Sequence, residues 1–274
     1  YSLKKIFNNP QDINFNPFIT FICNPTSYHI DSAIKFASRG SHIFIEKPIG
    51  INKVKINKLK KIIRRKKIVS FIGYQFRFHP AIIYLKEILD NSKFGKIISG
   101  NFSFLTFLPH HHKYEDYKKT YVALKKLGGG TALNLSHDID LIIFLFGKPN
   151  KINCKSHNPK IIKTETEKDL FAEFFYKNKT KISLELSYSS LIEKRIINLK
   201  FEKALINIDL NKNKLILKNN KKKIVKNYKI KRNELFNNEL NYFNDSIEKK
   251  RINNFLSVLK HDNVVNAINK LNNC

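Results

Sequence analysis

Between Phe18 and Ile72 short apolar runs alternate with helical repeats, and few folds accommodate that order. Phe18 to Cys23 is rich in β-forming residues and closes at Asn24-Pro25, the signature of a buried strand. A helix follows, with Thr26 or Ser27 placed to cap it, Ile30, Ala33, Ile34 and Ala37 at helical spacing, and Gly40 to end it. His42 to Ile45 reads as the next strand. Asn52 to Lys66 repeats Ile56, Leu59, Ile62 and Ile63 on one helical face, and Ile68 to Ile72 is a third strand. Three strands joined by crossovers long enough to be helices, within about 55 residues, require a parallel sheet covered by helices.

From Lys96 the character changes. Pro80, suited to a first helical turn, opens a helix through Leu89, after which strands dominate: Ile97 to Leu108, Phe171 to Tyr176, Lys181 to Tyr188, Arg195 to Phe201 and Ala204 to Leu210. Asn211 to Arg232 reads as a hairpin with polar turns, and Leu133 to Phe146 and Glu234 to Ile247 as helices packed on the sheet. The expected fold class is α/β plus α+β. A truncated Rossmann-like parallel sheet in residues 1–78 is followed, in residues 79–274, by a substrate-binding and oligomerisation domain with a large, mainly antiparallel sheet flanked by helices. No G-x-G-x-x-G occurs in the chain and no methionine stands anywhere in it, so the phosphate-binding turn is expected upstream of Tyr1.

The net charge of +29 suggests a polyanionic partner, but the lysines are dispersed along the whole chain among asparagine and isoleucine, as in Lys218-Asn219-Asn220-Lys221. Dispersed charge reads as solvated surface, without specific nucleic-acid binding. Aromatics interleaved with basic residues would mark a nucleic-acid face, and Lys53 to Lys67 contains none. Ile139 to Phe146, the most apolar segment, is too short to span a bilayer. Cys23, Cys154 and Cys274 are far apart, with no metal-ligand spacing. That pattern suits a reducing, cytoplasmic setting and argues against disulfides and bound metal.

Two constellations carry chemistry. Glu46-Lys47-Pro48 ends a predicted parallel strand, where open α/β sheets bind ligands. A lysine there places a cation beside a hydroxyl or carbonyl, a glutamate accepts from ribose hydroxyls, and proline fixes the turn. As readily, Lys47 is one more loop lysine in a lysine-rich chain. Gly128-Gly129-Gly130 precedes Asn134, His137, Asp138 and Asp140, and positions 134, 137 and 138 share a face of one predicted helix. A histidine one turn beyond an amide is a candidate acid/base, or a histidine held structurally.

Taken together, Cys23-Asn24-Pro25 with His29 and Glu46-Lys47-Pro48, Gly73-Tyr74-Gln75-Phe76-Arg77-Phe78-His79-Pro80, and the run from Leu108-Pro109 through Gly128-Gly129-Gly130 to Ser136-His137-Asp138-Ile139-Asp140 resemble the glucose-fructose oxidoreductase, inositol dehydrogenase and rhizopine-catabolism family. The resemblance implies a nicotinamide enzyme using NAD or NADP, oxidising a sugar or nucleotide-sugar hydroxyl or reducing the ketone, and forming a homo-oligomer through the second-domain sheet. It implies catalytic roles for Lys47 and His137, with Asn134 beside His137. Asn24, Pro25, His29, Glu46, Lys47, Pro48 and Gln75 are expected to line the cofactor, and Arg77, His112, Tyr117, Lys118 and Asp138 to contact substrate. Asn134 stands where the family usually has aspartate, and Lys113 where proline is expected before Tyr114. The first departure weakens the partner that would charge-tune His137 and keeps open a member that only binds or oligomerises.

Overall fold

The computed structural model describes residues 5–9, 12–111, 114–231 and 233–274. Strands β1 (Ile19–Ile22), β2 (His42–Glu46) and β3 (Ser70–Gly73) form the parallel sheet in that order, joined by helices α1 (Thr26–Ser38) and α2 (Lys53–Lys66). The helix caps differ from one another. Asn52 caps α2 by accepting from Lys55 N (3.0 Å), but Pro25 occupies the cap position of α1 and no side chain caps it, so neither Thr26 nor Ser27 serves.

A 3-10 turn at Gln75–Phe78 leads into α3 (Pro80–Asp90), capped by His79, and then β4 (Ile97–Phe107) and the short α4 (Leu108–His111). Next come α5 (Thr131–Asn134) and α6 (Ser136–Phe146), then β5 (Lys151–His157), β6 (Asp169–Phe175), β7 (Lys181–Ser187), β8 (Ser189–Phe201), β9 (Ala204–Asp209), β10 (Lys214–Asn219) and β11 (Lys223–Asn227). Helices α7 (Glu234–Glu248) and α8 (Asp262–Leu271) complete the chain. The second sheet runs β11-β10-β9-β8-β4-β7-β6-β5, antiparallel throughout except for the β4–β7 pair. The expected architecture is therefore present: a Rossmann-like parallel sheet and a larger, mostly antiparallel one with helices. The sequence reading missed β5 and α8, and it ran α5 and α6 together; Leu135, with φ −93° and ψ 24°, interrupts them.

The C-terminal segment returns to the first sheet. Phe243 of α7 caps an aromatic ladder formed by Phe21, Phe44 and Phe71 on three successive strands, with centroids 5.6–6.2 Å from its own. Ile72 N donates to Leu256 O (3.0 Å) and Asn254 Nδ2 to Ser70 O (3.0 Å), so residues 254–258 seal the β3 side. On the opposite side β1 is, among the described residues, an edge strand, and Phe18 and Phe21 are 69% and 51% exposed.

One expectation is corrected. Cys154 on β5 and Cys274 form a disulfide, with Cα atoms 6.0 Å apart, because α8 packs along β5 and brings residues 120 positions apart together. Separation along the chain had hidden that contact. Among the described residues no helix is long and apolar enough to cross a membrane.

Candidate active site

The C-terminal ends of β1 and β2 are clamped by His29. Its ring nitrogens lie 2.6 Å from Asn24 O and 2.7 Å from Pro48 O, so the loop after each strand is tied to the same buried imidazole. Burial pushes the His29 pKa down while the two carbonyls pull it up. Asn24, Pro25, His29, Glu46 and Pro48 are thereby gathered at one sheet end, and half-buried Gln75 opens the turn just past β3. A cleft of about 420 Å³ opens nearby, between Thr26 and Ser27 on α1, Asn52, the Gly128-Gly129 turn and Glu167; neither Lys47 nor His137 lines it.

Lys47 reaches across from β2 to the other half of the molecule. Its Nζ donates to Asn134 O (2.6 Å), beside the helix break at Leu135. Burial lowers its pKa to about 8; Arg195 adds to the shift, and Glu46 and Asp138 oppose it. His137, in the first turn of α6, is buried edge-on against the rings of Tyr74 (5.7 Å) and Phe76 (5.0 Å). Its Nδ1 has no hydrogen-bond partner among the described residues. Burial, then the Lys47 and Arg195 cations, hold its pKa well below the ordinary imidazole value, so the ring is unprotonated at neutral pH.

The remaining residues divide. Asn134 does not face His137 across one helix: the helix breaks between them, and the Asn134 amide donates to Gly130 O (2.9 Å) instead. Arg77 does not face open space. It forks onto Asp140 (2.6 and 2.8 Å), donates to Phe255 O (2.9 Å) and stacks on Phe144 (4.7 Å). Burial alone would raise the Asp140 carboxyl, but Arg77 and His261 outweigh it and hold it below its usual range. Asp138 is 1% exposed and faces Arg195 Nη2 at 3.3 Å. Tyr117 and Lys118 sit in a separate 3-10 turn capped by Asp116, where Tyr117 Oη accepts from Lys163 N (3.2 Å). His112 and Lys113 lie outside the described residues.

Arg195 was not foreseen. It is 7% exposed and lies between the rings of Phe76 (4.5 Å) and Phe104 (3.6 Å). The signal was present: Arg195, Ile197, Leu199 and Phe201 alternate on the buried face of β8, and a cation in an apolar register needs a partner. The assembled set is thus a lysine and an unprotonated histidine at the parallel strand ends, with a buried Asp–Arg pair behind them. It is able to accept a proton and to stabilise negative charge on an oxygen between the two.

Comparison with known proteins places the chain in a family. Residues 2–74 match the model of an oxidoreductase family with an NAD-binding Rossmann fold, and residues 82–204 that of the GFO/IDH/MocA C-terminal domain. "Oxidoreductase P35" of Formosa agariphila is 24% identical over 191 residues, 67% of this chain and 56% of that protein. Inositol 2-dehydrogenase of Rhizobium meliloti is 28% identical over 127 residues, 46% of this chain and 36% of that protein. The matched part thus spans about half or less of these relatives. Among solved structures, levoglucosan dehydrogenase in complex with NADH and levoglucosan superposes with a TM-score of 0.81 at 16% identity, covering 93% of this chain and 78% of that one. UDP-N-acetylglucosamine 3-dehydrogenase from Acidithiobacillus ferrooxidans does so with 0.77 at 20%, covering 97% and 81%. With both models matched in order along the sequence, the chain belongs to the GFO/IDH/MocA family of oxidoreductases with an NAD-binding Rossmann fold.

Proposed function

We propose that this chain carries the catalytic end of an NAD(P)-dependent dehydrogenase acting on a hydroxyl of a sugar or nucleotide-sugar, or reducing the corresponding ketone. The observation that carries the reading is the placement of Lys47, at the end of a parallel strand, with its Nζ on Asn134 O, three residues before His137 on α6, whose imidazole feels the Lys47 cation. Glu46, the His29 clamp and Gln75 surround the same strand ends and fit the nicotinamide-ribose part of a dinucleotide, for which carboxylate and carbonyl acceptors suit ribose hydroxyls. The nicotinamide, when bound, supplies the hydride acceptor.

The protein's own part follows from the geometry. His137, unprotonated through burial and two neighbouring cations, takes the proton of the substrate hydroxyl. The Lys47 ammonium, fixed by Asn134 O, steadies the negative charge growing on that oxygen. In the direction of reduction the protonated His137 returns the proton to the oxygen that Lys47 holds. Ile98 on β4 and Leu205 on β9, 46% and 52% exposed, are apolar side chains of the second sheet left to solvent, and they support assembly of copies through that sheet. The division at residues 78 and 79 belongs to the same reading, with α7 and residues 254–258 reaching back to the first sheet.

The test is turnover by a protein with a complete cofactor domain, followed as NADH or NADPH absorbance across a panel of free and nucleotide-linked sugars. Lys47→Ala should lower kcat by roughly 10²–10³-fold, as when one preorganised donor to a developing oxyanion is lost, with an unchanged circular dichroism spectrum. Activity should also fall as pH rises through about 8, where Lys47 loses its charge. No turnover of any sugar, or an alanine variant as active as the parent, would overturn the assignment.

A further inference from the structure

Beyond Lys47 and His137, the structure brings together a third site element that neither the motifs nor the proposed reaction assigns. We propose that Arg195 is a positioning residue for His137: wedged between Phe76 and Phe104 and paired with Asp138, it pins the first turn of α6 against β8 and sets a fixed cation beside the imidazole. The inference rests on the dehydrogenase reading only for its consequence in turnover.

Two contacts connect the two residues. The ring of Phe76 is shared, with the Arg195 guanidinium 4.5 Å from its centroid and the His137 ring 5.0 Å away and perpendicular to it. Asp138, next in sequence to His137, faces Arg195 Nη2 at 3.3 Å, so the pair fixes the helical turn that aims the imidazole. The position of Arg195 is set by strand pairing, since it lies opposite Phe104 in the β4–β8 register and packs onto the same ring. Both members are buried, Arg195 at 7% and Asp138 at 1%, where a charge is tolerated only when opposed by another.

The groups around His137 come from four directions: Lys47 from β2, Arg195 from β8, Asp138 from its own helix, and Tyr74 from beyond β3, with His261, Asp140 and Arg77 behind that ring. Two of them are cations acting directly on the imidazole, and burial works in the same direction. Removal of Arg195 should therefore let His137 take up a proton more readily and loosen its orientation. Arginine suits the place because a planar guanidinium stacks between two rings while its edge meets a carboxylate, which an ammonium does less well.

The test needs neither cofactor nor turnover. The His137 ring protons are followed by NMR against pH in the parent, in Arg195→Met, in Arg195→Lys and in the double variant Arg195→Met with Asp138→Asn, the last removing both charges so that no lone buried carboxylate remains. Expected is an upward move of the His137 midpoint by a pH unit or more in both methionine variants, and a near-parental midpoint in the lysine variant. A folded methionine variant, single or double, whose His137 titrates as in the parent would overturn the proposal, as would a lysine variant that behaves like methionine. A dehydrogenase should show the same displacement in the acidic limb of kcat/KM. If no sugar is turned over while the midpoints move as expected, the reaction assignment fails and the positioning role stands.

Discussion

Arg77 and Arg195 are both buried arginines set against a buried aspartate, yet only Arg195 acts on Lys47 and His137. Sequence alone favoured Arg77, because it sits in a motif-like run; its partner Asp140 lies 63 positions away and only folding reveals that its donors are already used. Glu239 is a second residue whose role emerges from packing. It lies one turn before Phe243 on α7, 1% exposed, and its Oε1 has no partner among the described residues. Burial, then the charges of Glu46 and Asp140, push its carboxyl up to about 9. An unfolded glutamate titrates near 4.3. Between those values the folded protein keeps a proton that the unfolded chain releases, so this carboxyl lowers stability as pH rises, by at most about 1.4 kcal/mol per pH unit, and its effect levels off above about 9. Glu239→Gln should remove that slope. Urea unfolding at pH 5, 7 and 9 checks it: the variant's advantage should grow with pH, and equal slopes in both proteins would show that Glu239 ionises normally.

At the level of elements, the triple glycine works through close approach. A Cβ on Gly129 would collide with the carbonyl oxygen of Val122 and stand 2.8 Å from that of Tyr121, both backbone atoms with little room to yield. Gly129→Ala should therefore force residues 121–122 and 128–130 of the loop apart, lowering stability by about 1–3 kcal/mol and the melting temperature with it. Gly40 lies in open space but has φ +89°, so Gly40→Ala should cost only backbone strain, near the lower end of that range. Equal melting temperatures for the Gly129 variant and the parent would refute the crowding argument. Elements with a strong internal period were legible in sequence, among them α1, α2, β4 and β7 to β9. Strand β5 was not, because Lys151, Asn153 and Lys155 alternate only with half-buried residues at an edge and give a weak pattern. The join of α5 to α6 was equally hidden: buried residues run without interruption from Thr131 to Ile143, and an all-buried stretch has no polar face to mark the break at Leu135. Lys47 and His137 were legible as motif residues. Their meeting was not, since it depends on how two sheets dock.

For the molecule as a whole, the disulfide closes residues 154–274 into one loop that includes β6 to β11 and the two C-terminal helices. Thiol titration of the denatured chain should count one group, Cys23, without reductant and three after reduction; three from the start would refute the pairing. Reduction should lower stability by about 2–4 kcal/mol. The seating of Phe243 on the rings of Phe21, Phe44 and Phe71 has a further consequence: the end of the chain is part of the core of its beginning, so the first sheet gains its full packing only after α7 has folded back onto it.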